Sequence, residues 1–93
     1  MNLRDKTELS ILGMKHEVTY FKSHDGNDGA MGRSHIKHGI INICDEMPDD
    51  IQEQTILHEV VHIISDHLEL EMKENQVGGL ATGLYAFIKE NKL

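Results

Sequence analysis

Three residues near the middle of the chain carry its clearest chemistry: His58, Glu59 and His62, spaced His-Glu-x-x-His inside the apolar run Thr55 to Ile64. On a helix, residues four apart lie one turn apart on the same face, so the two imidazoles would point together at one metal ion. Glu59 would stand beside them, placed to take a proton from a metal-bound water. The chemistry implied is zinc-assisted hydrolysis. The bare pattern is weak by itself: with seven His and nine Glu, chance produces it in roughly one such chain in twenty.

A catalytic zinc takes three protein ligands and leaves one position open for water. One class of zinc peptidase places a Gly three residues after the second His and a third His three residues beyond that. Those positions here are Ser65 and Leu68, which excludes the class. His67 misses the register by one residue, about 100° around a helix, and reads as a surface histidine at a helix end. The nearest downstream carboxylates are Glu69, Glu71 and Glu74. Glu69 and Glu71 fall in a polar turn, where solvation is the natural state. Glu74 lies three residues before Val77 and seven before Ala81, on the inner stripe of a second helix and at its first turn. It is either the third ligand or a carboxylate favoured at a helix N-terminus by the helix dipole.

The elements that must position these groups follow from periodicity. Leu9 and Ile11 alternate with Glu8 and Ser10, Gly13 marks a reversal, and His16–Lys22 is β-rich with Val18 and Tyr20 on one face; together they predict a hairpin. Residues 23–29, with Asp-Gly twice, form a loop. A calcium loop counted from Asp25 would need Gly and Glu where Ala30 and Ile36 stand, so calcium is excluded. Ala30–Ile36 and Ile40–Cys44 are predicted as paired strands around a Lys37-His38-Gly39 turn, with Ile41 and Ile43 on the buried face.

Pro48 then stops the strand, and Asp50 with Glu53 matches a capping box, opening a helix predicted over about Asp49–His67. Leu57, Val61, Ile64 and Leu68 form its stripe, widened by Ile56, Val60 and Ile63, so the helix is central. A second helix is predicted from about Lys73 to Asn91, with Val77, Leu80, Ala81, Leu84 and Ile88 inward. Gly79 and Gly83 either let the two helices approach closely or face outward. The fold expected is α+β: a small antiparallel sheet of three to four strands followed by two core helices, in a single domain over residues 1–93.

Ninety-three residues bury one modest core, with little room for a second site. The net charge of −7 argues against nucleic acid and against anionic lipid as partners. Cys44 is the single cysteine, the start lacks the apolar stretch of a signal peptide, and no run approaches a membrane span. A cytoplasmic location is expected.

The block Thr55-Ile56-Leu57-His58-Glu59-Val60-Val61-His62, followed by Glu74-x-x-Val77-x-x-Leu80-Ala81, resembles the minimal zinc metallopeptidases of the ImmA/IrrE family. A short sheet whose last strand precedes an acidic-Pro turn is similar to small phage and mobile-element members. The likeness spans most of residues 8 to 92, with the two helical blocks diagnostic. The resemblance implies Zn2+ held by His58, His62 and Glu74, with Glu59 as general base. It also implies a peptide or protein substrate of the repressor-type regulator class. The chain departs from larger members in showing no helix-turn-helix and no longer segment after the second block.

Tyr20, Tyr85, His24, His35 and His38 are the candidates for stabilising an oxyanion. Two rival readings stand beside the peptidase: a zinc-binding regulatory or interaction module without turnover, and a metal-free helix whose histidines are half-buried core residues. Oligomeric state is not readable from the sequence.

Overall fold

The computed structural model describes residues 3–22, 32–35 and 39–93, and of Asp5 and residues 32–35 the backbone alone. After a short 3-10 turn at Leu3–Asp5 come four strands, β1 (Glu8–Ile11), β2 (Met14–Phe21), β3 (Gly32–His35) and β4 (Ile40–Cys44). Two helices follow, α1 (Asp49–His67) and α2 (Glu74–Glu90). The α+β class is as expected, and the α1 bounds coincide with those read from the sequence. The loop expected at 23–29, with its excluded calcium reading, lies outside the described residues, as do the ends of the expected strand at 30, 31 and 36 and the turn residues 37 and 38.

β1 and β2 form the expected hairpin, with Ser10 opposite Lys15 and Ile11 opposite Met14. Its two-residue turn puts Leu12 at φ 52° and Gly13 at φ 81°. Two positive φ values in succession match the twist of the flanking strands. Gly39 has φ 61°, and a Cβ there would lie 3.0 Å from the Lys15 carbonyl oxygen, so a side chain is disfavoured both by the backbone conformation and by the close carbonyl. Its own carbonyl accepts from Glu17 N–H at 2.7 Å, tying the start of β4 to β2.

The sheet order is β1-β2-β4-β3. β3 and β4 are antiparallel, as expected. β2 and β4 are parallel, with Val18 opposite Ile41 and Tyr20 opposite Ile43, so the sheet is mixed rather than antiparallel throughout. β3 lies at the outer edge of the sheet, beyond β4. β4 lies between β3 and β2, antiparallel to the first and parallel to the second. Alternation in sequence specifies which face of a strand is buried and not which neighbour it takes.

Ile41 and Ile43 are fully buried and pack with Leu3, Ile11, Val18, Ile56 and Ile63, joining the sheet to one side of α1. On the opposite side of α1, Val61 packs against Val77 and Ala81 of α2, with Leu57 touching both clusters. α1 is therefore sandwiched, which is why it is apolar around most of its circumference. α2 is different. Of its expected inward stripe only Val77 and Ala81 are buried, while Leu80 and Leu84 are exposed. Periodicity marks an apolar stripe but cannot show whether an element exists to cover all of it.

The start of α1 also departs from expectation. Pro48 occupies the cap position without a side-chain cap, and Asp50 merely accepts from its neighbour Ile51 N–H at 2.9 Å. Glu53 turns inward instead, where Oε2 accepts Leu3 N–H at 2.9 Å and Oε1 accepts the Tyr85 hydroxyl at 3.2 Å. Gln52 is 1% exposed. It donates to the carbonyls of Asp45 (3.2 Å) and Met47 (2.6 Å) and accepts Arg4 Nε–H (3.1 Å). The first turn of α1 is thus held to both neighbouring layers by buried, satisfied polar groups. Among the described residues, no helix is long and apolar enough to cross a membrane.

Candidate metal centre

The α1–α2 pair runs antiparallel, as Tyr85 meets Glu53, Thr82 meets Gln54 and Glu74 meets His58 and His62. This brings the middle of α1, around His58 and His62, against the first turn of α2. His58 and His62 lie one turn apart with ring centroids 4.9 Å apart. Both are half-buried, because they sit where the buried stripe of α1 gives way to solvent.

Glu74 closes the site from the other helix. Its Oε1 lies 2.6 Å from His58 Nε2 and its Oε2 lies 2.9 Å from His62 Nε2. One carboxylate therefore spans both imidazoles. An ionised carboxylate can only accept, so each Nε2 carries the proton in this arrangement. Desolvation works to raise the Glu74 carboxyl. The hydrogen bonds and charges of His58 and His62 together outweigh it and hold the group below its ordinary range.

Glu59 belongs to the same locality: ligand atoms of His58, Glu59 and His62 lie within 4.8 Å of one another. Two carboxylates thus compete for the place of third ligand. The two Glu74 oxygens meet the Nε2 atoms of the histidines, whereas Glu59 approaches them from their own helix. The Glu59 side chain is largely buried and makes no hydrogen bond or ion pair with any described residue. The donor set of two imidazoles and one carboxylate, drawn from facing helices, is one that suits zinc.

The linker between the helices sets the position of Glu74. Leu70 N–H donates to the Ser65 carbonyl at 2.9 Å, and Met72 N–H to Ser65 Oγ at 3.4 Å. Glu69 and Glu71 both adopt φ 54°, a left-handed conformation that L-residues rarely take. Lys73 N–H then donates to Gln76 Oε1 at 2.8 Å, starting α2 so that Glu74 is its first residue. Buried Ser65 was not legible as an organiser of this turn, because its partners lie on the far side of an irregular linker.

Gly78 is the close neighbour of the site, since a Cβ there would lie 3.7 Å from His58 Cε1. Of the two alternatives for Gly79 and Gly83, close helix approach or an outward-facing position, the second holds, since a Cβ on either would meet nothing within 4 Å. A cleft of about 350 Å3 opens beside His62, lined further by Ser65, Asp66, Glu69, Glu71 and Met72. Glu69 and Glu71 are solvated there, as expected, and His67 is exposed at the end of α1.

Two of the oxyanion candidates are committed elsewhere. The Tyr20 hydroxyl donates to the Arg4 carbonyl at 3.2 Å, and the Tyr85 hydroxyl to Glu53. His24 and His38, and the side chain of His35, lie outside the described residues. No family model matches the chain, and no curated protein or solved structure matches it either.

Proposed function

We propose that this chain is a zinc-dependent metallopeptidase of the ImmA/IrrE type. In this reading His58 and His62 of α1 and Glu74 of α2 hold the metal, and Glu59 is the general base. The observation that carries the proposal is the single Glu74 carboxylate spanning the Nε2 atoms of both histidines. Three donors that suit zinc converge there from two helices, at the spacing that hydrolytic sites require.

Zinc, if held by these residues, would supply Lewis acidity toward a peptide carbonyl and toward a water molecule. The protein's part is then positional. Glu59 follows His58 directly in α1, and its buried, uncommitted carboxylate would accept a proton from the attacking water and pass it to the leaving amine. His58 and His62 are fixed by the packing of α1 between the sheet and α2. Glu74 is fixed by the Ser65-anchored linker. The cleft beside His62 leaves room for part of a substrate, and a regulatory protein of the repressor class is the proposed substrate.

A zinc-binding module without turnover is the second reading, favoured by one observation: the cleft of about 350 Å3 is at the low end for a substrate site. Exposure of zinc-loaded protein to a broad peptide library separates the two. A peptidase cleaves some members and loses that activity on Glu59→Gln; the module leaves the library intact.

A further inference from the structure

α2 is fastened to the molecule along one narrow line. Its buried residues are Val77 and Ala81, which pack with Val61 of α1. Among the described residues, α1 is the only element that α2 packs against extensively. The further ties at its far end are polar: Gln54 to Thr82 at 2.9 Å, and Glu53 to Tyr85 at 3.2 Å and to Lys89 at 4.0 Å. α1 is held far more firmly, with Ile56 and Ile63 fully buried against the sheet.

The segment is also poor at holding itself in place. Gly78, Gly79 and Gly83 fall within its 17 residues, and each lowers helix stability relative to alanine. A helix of this length and composition does not persist alone in water, so docking of α2 and its folding are one event. The linker that leads into it carries two L-residues, Glu69 and Glu71, in the costly left-handed conformation. Segments with few buried contacts open locally while the rest of a molecule stays folded.

We propose that α2 is a metal-dependent lid, which opens as a unit from the folded sheet and α1 and is closed by occupation of the site at His58, His62 and Glu74. The proposal rests on the metal reading given above. His58 and His62 belong to α1, and Glu74 is the first residue of α2. The closed form therefore offers all three ligands, and the open form only the two histidines. That difference in affinity is what shifts the equilibrium toward closure. Without a metal the same end of α2 is held by the Glu74 carboxylate on the imidazoles, and this side chain is 70% exposed, so solvent screens the contact. The cleft beside His62 is formed by α1 at Ser65 and Asp66 and by the linker at Glu69, Glu71 and Met72. Opening takes the linker wall away, so donor set and cleft are assembled by one movement.

Residue-resolved hydrogen exchange of the full chain, in excess chelator and then in zinc at about 100 times its dissociation constant, tests this. In chelator, α2 amides are expected to be at least about tenfold less protected than those of β2 and β4. Zinc should then raise α2 protection by at least about tenfold, short of the ~100-fold limit because the two histidines keep weak affinity in the open form. α2 amides that exchange in step with β2 and β4 in chelator would make the molecule one cooperative unit and overturn the lid. One zinc bound per chain with α2 exchange unchanged overturns the lid and leaves the metal centre standing. A chain that binds no zinc removes both. In Glu74→Ala zinc should no longer slow α2 exchange; zinc that slowed it as in wild type would overturn closure through Glu74.

Discussion

The Glu74 carboxylate lies 2.6 Å from Nε2 of His58, across the interface between two helices and sixteen positions away in sequence. The same carboxylate reaches His62 through its other oxygen. A first-turn glutamate serving only the helix dipole would point along the α2 axis into solvent. This one is drawn sideways onto two imidazoles, so it does more than serve the helix dipole.

Replacement of that carboxylate should therefore separate it from its acidic neighbours. Glu74→Ala is expected to weaken zinc binding by more than about 100-fold, beyond the 10–100-fold typical of groups that only orient ligands. Glu71→Ala, in the solvated linker, should change it by less than about threefold. Competition titration with a chelator measures both, and the opposite ranking would exclude Glu74 as third ligand.

Glu59→Gln is expected to retain zinc and fold, with a melting temperature within a few degrees of wild type, since the amide matches the carboxylate in volume. Any hydrolytic activity should fall by at least about 100-fold, the low end of general-base contributions. Loss of zinc in this variant would instead show that Glu59, not Glu74, completes the donor set.

Tyr85 provides a pH dependence of known sign. Burial, then the charge of Glu53 and the hydrogen bond to it, push the phenol up to about 12. Its folded pKa thus exceeds its ordinary value of 10.0, so between those values the unfolded chain releases a proton that the folded chain keeps. The stabilisation is complete below pH 10 and declines as pH rises toward about 12. Absorbance at 295 nm should show one of the two tyrosines ionising late, and Tyr85→Phe should remove that phase. Two tyrosines titrating together near 10 would contradict the buried contact with Glu53.

His16 tests the sheet core. It is 2% exposed, its Nδ1 meets the Met14 carbonyl at 3.1 Å, and its Nε2 is buried with no partner among the described residues. An unpaired buried polar atom costs about 1–3 kcal/mol. His16→Leu should leave stability unchanged or raise it by about 1 kcal/mol, read from denaturant unfolding. Gln52→Leu should do the reverse, lowering stability by about 2–4 kcal/mol, because its three hydrogen bonds leave buried partners unsatisfied when broken.

Much of this arrangement was legible from local pattern. The α1 bounds, the Gly13 hairpin, the burial of Ile41 and Ile43, and the facing of Glu74 toward the histidines all follow from periods of two and 3.6 residues. What escaped was set by distant partners. Glu53 resembled a capping residue because its true partner, the Leu3 backbone, lies fifty positions away. The parallel pairing of β2 with β4 depends on where β3 goes, which alternation does not encode. Leu80 and Leu84 have the spacing of core residues, yet the sheet lies on the other side of α1 and cannot reach them.

The most direct measurement is the zinc content of protein purified without a histidine tag, paired with its melting temperature on zinc addition. A site built from His58, His62 and Glu74 requires one zinc per chain. At about 100 times the dissociation constant, zinc should add about 2.7 kcal/mol of stability, raising the melting temperature by roughly 10–20 °C. Protein that is metal-free as purified, and whose melting temperature ignores added zinc, would contradict the metal centre.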